Sequence, residues 1–264
     1  MPGVDQSELD RHAAARGAMI HHSADAWIQF RRPRPEASVR LFCLHHAGGG
    51  ALGFRDWPER FPDWVDVCPV QLPGRGSRYA VPPSRRLDAL LDGLLPALRP
   101  LLDRPVALFG HSMGAGIAIV LAHALPRPPL HLFVAAGRVP GAPRPRPLYL
   151  RADSELLDYL GRLGGTPEPI LRDAEMREMV LRILRADLEL SETSPAPRPL
   201  SGVKITVLGG LEDQLVNADD LDGWRSLTDA AFQRVMLPGG HFFIQNNPDA
   251  IARLIAESLA ADRG

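Results

Sequence analysis

No stretch of this chain limits its folding more than Val106-Ala-Leu-Phe-Gly-His-Ser-Met-Gly-Ala-Gly-Ile-Ala-Ile-Val-Leu-Ala122. Residues 106–109 form an apolar run of the length of a buried parallel strand, and the small and apolar residues of 115–124 read as a helix. Only Gly110-His-Ser-Met-Gly114 separates the two. So sharp a turn from strand to helix strains its middle residue, and side chains on its flanks would collide, which is why glycines suit positions 110 and 114. The turn lifts Ser112 to its tip. There the hydroxyl faces a cleft beside a helix N-terminus, and the Met113 N–H is free to donate to a developing oxyanion. G-x-S-x-G alone is a weak signal, but between a buried strand and an Ala-rich helix it marks a nucleophile.

The remaining elements alternate in the same way. Strands are expected at 39–44, 65–72, 131–137, 203–208 and 233–237, with helices at 87–102 (kinked at Pro96), 221–227 and 248–259. This order implies an α/β fold, a mainly parallel central sheet covered by helices on both faces. Residues 27–30 are expected as an edge strand, and the prolines at 33 and 35 put a loop after it. Residues 1–26 read as an N-terminal extension outside a domain spanning 27–264. Its histidines, His12, His21 and His22, suit an exposed tail better than a metal-binding tract. At about 140–199 the pattern changes: two amphipathic stretches, with Leu156, Leu157, Leu160 and Leu163 in the first and Met176, Val180, Ile183, Leu184 and Leu188 in the second, are enclosed by proline-rich segments. Such an insertion at the catalytic end of the sheet reads as a helical lid.

Composition removes several classes of function. A formal net charge of −1 argues against general nucleic-acid or anionic-membrane binding. Lys204 is the sole lysine, so the many arginines reflect a compositional bias and carry little information one by one. Cys43 and Cys68 fall in expected strands and suit small core hydrophobes in a reducing compartment. No apolar run reaches membrane-span length and no apolar leader core precedes His22, so a cytoplasmic protein is expected. The glycine-rich His45-His-Ala-Gly-Gly-Gly50 after the first strand matches neither phosphate-binding pattern. It suits close backbone approach to an oxyanion, with an N–H near Ala47 paired to that of Met113 and with His45 and His46 as wall or packing residues.

A serine hydroxyl needs an imidazole to take its proton, and the imidazole needs a carboxylate to fix its tautomer. Ser112, Asp213 and His241 occur in the chain order this architecture uses, each on a loop after a strand. Glu212 is the rival acid; adjacent side chains in an extended segment point oppositely, and Asp213 is favoured. His111 is expected to be held in the elbow, facing away from the nucleophile.

With these residues in place, the chain resembles the type II thioesterases, free-standing editing hydrolases of polyketide synthase and non-ribosomal peptide synthetase systems with the α/β-hydrolase fold. The resemblance spans about 39–259 and rests on Leu41-Phe-Cys-Leu-His-His-Ala-Gly-Gly-Gly, Gln71-Leu-Pro-Gly-Arg-Gly-Ser-Arg, Gly110-His-Ser-Met-Gly-Ala, Leu163-Gly-Gly-Thr-Pro, Leu184-Arg-Ala-Asp-Leu-Glu-Leu and Pro238-Gly-Gly-His-Phe-Phe. The family usually has proline where His45 stands. The resemblance implies Ser112 as nucleophile, His241 as base, Asp213 as its orienter, and Ala47 and Met113 as backbone oxyanion donors. It implies hydrolysis of acyl groups from the phosphopantetheine arm of acyl or peptidyl carrier protein domains, by a monomer, with no cofactor and no metal. The acyl pocket is expected to be walled by His46, Leu156, Met176 and Met179. Acyl transfer, general carboxylester hydrolysis and a non-catalytic binding role are the competing readings.

Overall fold

The computed structural model describes residues 23–141 and 146–262. The leader histidines and residues 142–145 of the proline-rich segment lie outside the described residues. Six strands, β1 (Val39–Leu44), β2 (Val65–Pro69), β3 (Val106–His111), β4 (His131–Ala135), β5 (Lys204–Gly210) and β6 (Phe232–Leu237), form one sheet. Every neighbouring pair is parallel, in the order β2-β1-β3-β4-β5-β6. The first four strands are buried at every position and are mostly apolar, with Arg40 of β1 paired to Asp66 of β2 (2.9 Å), whereas β6 closes one edge and is largely half-exposed.

Alternation along each strand divides the core between two faces. Phe42, Leu44 and Leu108 meet Leu90 and Leu94 of helix α1 (Leu87–Leu98) and Ile117 and Leu121 of α2 (Met113–Ala124). Leu41, Cys43 and Phe109 turn to the other face, with Phe54 and Trp57 and with Ile251, Ile255 and Leu259 at the chain's end. Between β4 and β5 lie α3 (Asp153–Leu163), α4 (Glu168–Arg172) and α5 (Ala174–Glu192), and the chain closes with α6 (Pro248–Ala261). The insertion has its own cluster, in which Leu148, Leu156, Leu160, Leu181, Leu184 and Leu188 bury one another.

From β1 the chain crosses outward to β2 and then returns to β3 on β1's other side. The loops after β1 and β3 therefore part company at adjacent strand ends, Leu44 lying level with Gly110. This divergence opens the crevice in which open α/β sheets bind ligands.

Some local expectations differ from what is observed. Trp27 ends a short helix, Ala24–Trp27, because Ser23 accepts the Ala26 N–H as an N-cap. Only Ile28 bridges to Val70, antiparallel, although Gln29 and Trp27 still bond to Pro69 and Gln71 and cover the β2 edge. The inserted segment holds three helices rather than two, since Pro167 and Pro169 suit the start of the extra short helix α4. Helix α1 passes through Pro96 and tightens into a 3₁₀ turn at Arg99–Leu101. The expected helix at 221–227 is a short helix, Ala218–Asp222, followed by the 3₁₀ turn Gly223–Leu227.

Two glycines test this packing. A Cβ at Gly114 would lie 2.2 Å from the Leu44 carbonyl oxygen, whereas one at Gly161, on the outer face of α3, would meet nothing within 4 Å. Gly114→Ala is expected to lower unfolding free energy by about 3 kcal/mol, and Gly161→Ala to raise it by about 0.5–1 kcal/mol; urea unfolding of both variants checks the contrast.

Candidate active site

Ser112 has φ 54° and ψ −114°, a conformation that L residues other than glycine rarely adopt. Strand and helix hold it there: its N–H donates to the Ala135 carbonyl (2.8 Å) and its own carbonyl accepts from the Ala115 N–H (3.0 Å). No side chain fits at Gly110, where a Cβ would lie 2.3 Å from the Gly114 carbonyl oxygen. Met113 is the first residue of α2, so its N–H points out of the helix end with no intrahelical partner.

The loops after β5 and β6 bring two groups to this tip. His241 Nδ1 lies 2.9 Å from Asp213 Oδ2 and its Nε2 lies 3.0 Å from Ser112 Oγ. With the Nδ1–H donating to the carboxylate, Nε2 is the bare nitrogen that accepts the serine O–H. Asp213 Oδ1 accepts the N–H groups of Leu215 (2.8 Å) and Val216 (3.2 Å), so the carboxylate is aimed before the imidazole arrives. Burial pushes the Asp213 carboxyl up, but the His241 bond and charge and these two N–H groups outweigh it and hold it below the usual carboxylate range. Glu212 points elsewhere: its carboxylate accepts the Gly239 N–H and so ties the two loops together.

His111 faces away from Ser112 but touches the site, with Nε2 donating to the His241 carbonyl (2.9 Å). Its ring meets His46 edge-on at 5.1 Å between centroids, and His46 in turn meets Phe242 at 4.9 Å. Burial lowers His45 and His111 to about 3 each and takes His46 well below its ordinary value, with neighbouring cationic groups adding to the effect. These three rings are neutral at pH 7, and the His111 ring lies 5.5 Å from that of His241 between centroids.

Two spaces open from Ser112. One is a cavity of about 510 Å³ with His46, Ala47 and Gly48 on one side and Leu160, Leu163, Ile170, Val180 and Leu184 of the insertion on the other. The second, about 360 Å³, is lined by Met113, Arg138, Gln214, Ser191 and Glu192, with Tyr159 and His241 common to both. The structure thus sets His46 and Ala47 beside Ser112 but corrects the rest of the expected acyl wall. Met176 lies on the Val180–Leu184 stripe one turn too early, is 40% exposed, and does not reach the cavity. Met179 is turned about 100° from Val180 and does not line it, and Leu156 is spent inside the insertion's own cluster.

Arg75 and Asp187 lie within two of the stretches that carry the family resemblance, but the sequence assigns neither a role. Asp187 is 2% exposed on α5; Oδ1 accepts from Arg75 Nη2 (2.6 Å) and Oδ2 from the Gly48 N–H (2.8 Å). The signal for it was an aspartate at i+7 from Val180 and i+3 from Leu184, on the apolar face of an amphipathic helix.

A family model described as a thioesterase domain matches residues 39–259. The chain belongs to the thioesterase family. The type II thioesterase BorB of the borrelidin biosynthetic cluster is 37% identical, with a TM-score of 0.79 over 90% of this chain and 99% of BorB. The RedJ thioesterase of the prodiginine pathway in Streptomyces coelicolor is 34% identical, with a TM-score of 0.78 over 86% of this chain and 95% of RedJ. The gramicidin S biosynthesis protein GrsT of Aneurinibacillus migulanus is 35% identical over 240 residues, 88% of this chain and 93% of GrsT. The α/β-hydrolase fold expected from the sequence is therefore the fold of this thioesterase. Among the described residues, no helix is long and apolar enough to cross a membrane.

The neutral histidines of this thioesterase carry a pH dependence with a definite sign. A folded-state value of about 3 against 6.5 unfolded means that unfolding takes up a proton at each of His45 and His111. That stability is fully present above about pH 6.5 and is lost as pH falls toward 3. From pH 7 to pH 5 each histidine accounts for about 2 kcal/mol. In His45→Gln the drop in unfolding free energy between these two pH values, measured by urea titration, should shrink by about that amount.

Proposed function

We propose that this thioesterase hydrolyses acyl groups from the phosphopantetheine thiol of acyl or peptidyl carrier proteins, clearing aberrant or stalled chains from polyketide or non-ribosomal peptide assembly. The observation that carries the reading is the unbroken line Asp213–His241–Ser112 at the junction of an apolar cavity and a polar one. A thioester has an apolar acyl part and a polar pantetheine arm on opposite sides of its carbonyl. The cavity under α3 to α5 suits the first, with those helices as the lid, and the cleft past Met113, Arg138 and Gln214 suits the second.

Ser112 Oγ attacks the thioester carbonyl as His241 Nε2 accepts its proton, and Asp213 stabilises the imidazolium that forms. The Met113 and Ala47 N–H groups take the oxyanion. Collapse of the tetrahedral intermediate breaks the C–S bond and returns the proton to sulfur. A thiol of pKa about 8.5 departs with little acid assistance, so the imidazolium suffices. Water, deprotonated by His241, then attacks the Ser112 ester and releases the free acid. No step calls for a cofactor. One chain supplies the whole site, which supports a working monomer, and the free thiols of Cys43 and Cys68 suit a cytoplasmic site of action.

With a butyryl-loaded carrier as substrate, Ser112→Ala should lower turnover on the order of 10⁶-fold in a folded protein. Asp213→Asn should lose roughly 10⁴-fold by leaving the imidazole in the wrong tautomer, and Glu212→Gln at most about tenfold because its carboxylate holds a loop and not the imidazole. Substantial turnover by Ser112→Ala, or a reversed ranking of the two acids, contradicts these roles. Transfer of the acyl group to a second carrier in place of free acid would make the enzyme an acyltransferase.

Opening the cavity should change selectivity more than chemistry. Val180→Ala with Leu184→Ala should move the kcat/KM profile across acetyl to octanoyl thioesters toward longer chains. Each methylene is worth about 1–3 kcal/mol, so preferences should be graded. A uniform fall across all chain lengths would mean that these residues only support the fold.

A further inference from the structure

We propose that Asp187 is a positioning residue that joins the helix walling the acyl cavity to the oxyanion loop, so that the Ala47 N–H is in place only when α5 is seated. This rests on the reading of Ala47 as an oxyanion donor. Three segments distant in sequence meet at this one carboxylate: the loop after β1 through the Gly48 N–H, the loop after β2 through Arg75, and α5, which bears Asp187 itself. Gly48 follows Ala47 directly and has φ +77°, which glycine adopts as readily as a negative φ, so the residue itself does not hold the loop in one conformation. The Asp187 bond supplies an anchor and fixes the direction of the loop beside Ala47.

As a device for stability the pair is a poor choice. Both side chains are buried, 2% and 6% exposed, and Arg75 Nε and Nη1 are enclosed without a hydrogen-bond partner among the described residues. Burial pushes the Asp187 carboxyl up from its ordinary value against the pull of Arg75 and the Gly48 N–H. Apolar residues of similar size often serve stability as well as a buried ion pair, or better. What an apolar pair cannot do is accept the Gly48 N–H. On the same face of α5, Val180 and Leu184 line the cavity, and a Cβ built at Gly48 lies 3.7 Å from Leu184 Cδ1. Pocket wall and oxyanion loop are thus fastened through one turn of helix.

The test uses the full chain and the butyryl thioester of N-acetylcysteamine. Asp187→Leu, which removes the acceptor for the Gly48 N–H, should lower kcat about 10- to 100-fold while KM stays within about twofold, and the affinity of a butyl boronic acid that forms a tetrahedral adduct on Ser112 should fall in parallel. The double variant Arg75→Met with Asp187→Leu should recover the melting temperature that Asp187→Leu alone loses, yet keep the low kcat. Glu189→Gln, which breaks a surface pair with Arg85 (2.5 Å) on the same helix, should leave kcat unchanged. A kcat within fivefold of wild type in Asp187→Leu overturns the proposal. So does recovery of kcat together with stability in the double variant, or an equal loss in Glu189→Gln. If Ser112→Ala retains turnover, the functional reading has failed; if it does not and Asp187→Leu keeps the kcat of the wild type, only the positioning role has.

Discussion

The close approach of the α2 N-terminus to the end of β1 is the constraint on which the rest of this molecule depends. Gly110 and Gly114 let the helix begin almost against the neighbouring strand, and the Ser112 backbone takes a strained φ of 54° as the consequence. Strain of that kind persists only where surrounding structure over-determines it. Here the two-sided core does so, with β1, β3 and β4 buried throughout and the Ser112 N–H bonded to β4. The same approach sets the helix N-terminus beside the loop after β1, so the serine and the backbone N–H groups proposed as oxyanion donors arise from one packing event.

Electrostatics at the site follow from what surrounds His241. A carboxylate preset by two backbone N–H groups fixes one nitrogen, and the neutral His111 ring and Phe242 pack against the imidazole without competing for its proton. His111, next to the nucleophile in sequence, acts on the other side of the site through the His241 carbonyl. On the side of the acyl cavity, the Arg75–Asp187 pair brings buried charge close to the site, and there it grips backbone.

The parts legible in the sequence were those whose chemistry has a fixed spacing. The elbow between strand and helix, the acid after β5 and the histidine in a glycine turn each carry a local pattern, and the parallel order follows from apolar runs such as 41–44 of β1 and 106–109 of β3. What was not legible depended on helical phase and length. Met176 and Val180 sit on one stripe, yet only the latter reaches the cavity, because where the cavity ends is set by Leu163 and Ile170 on other helices. Residues 27–30 were expected as an edge strand, but Trp27 ends a short helix that the Ser23 cap starts. Arg75 was hidden by the abundance of arginine, and Asp187 by a helix that otherwise reads as amphipathic; each is defined by a partner more than a hundred residues away, |i−j| being 112 for their bond.

The central claim is that Ser112 carries the acyl group covalently between thiol release and acid release. Rapid-quench intact-mass measurement on the wild-type enzyme mixed with butyryl-loaded carrier tests it most directly, followed by mapping of the adduct to a peptide. The account predicts a transient butyryl adduct on Ser112 that rises with free carrier thiol and decays as butyrate appears. Butyrate formed from the first turnover with no adduct, or an adduct on any other side chain, would contradict it.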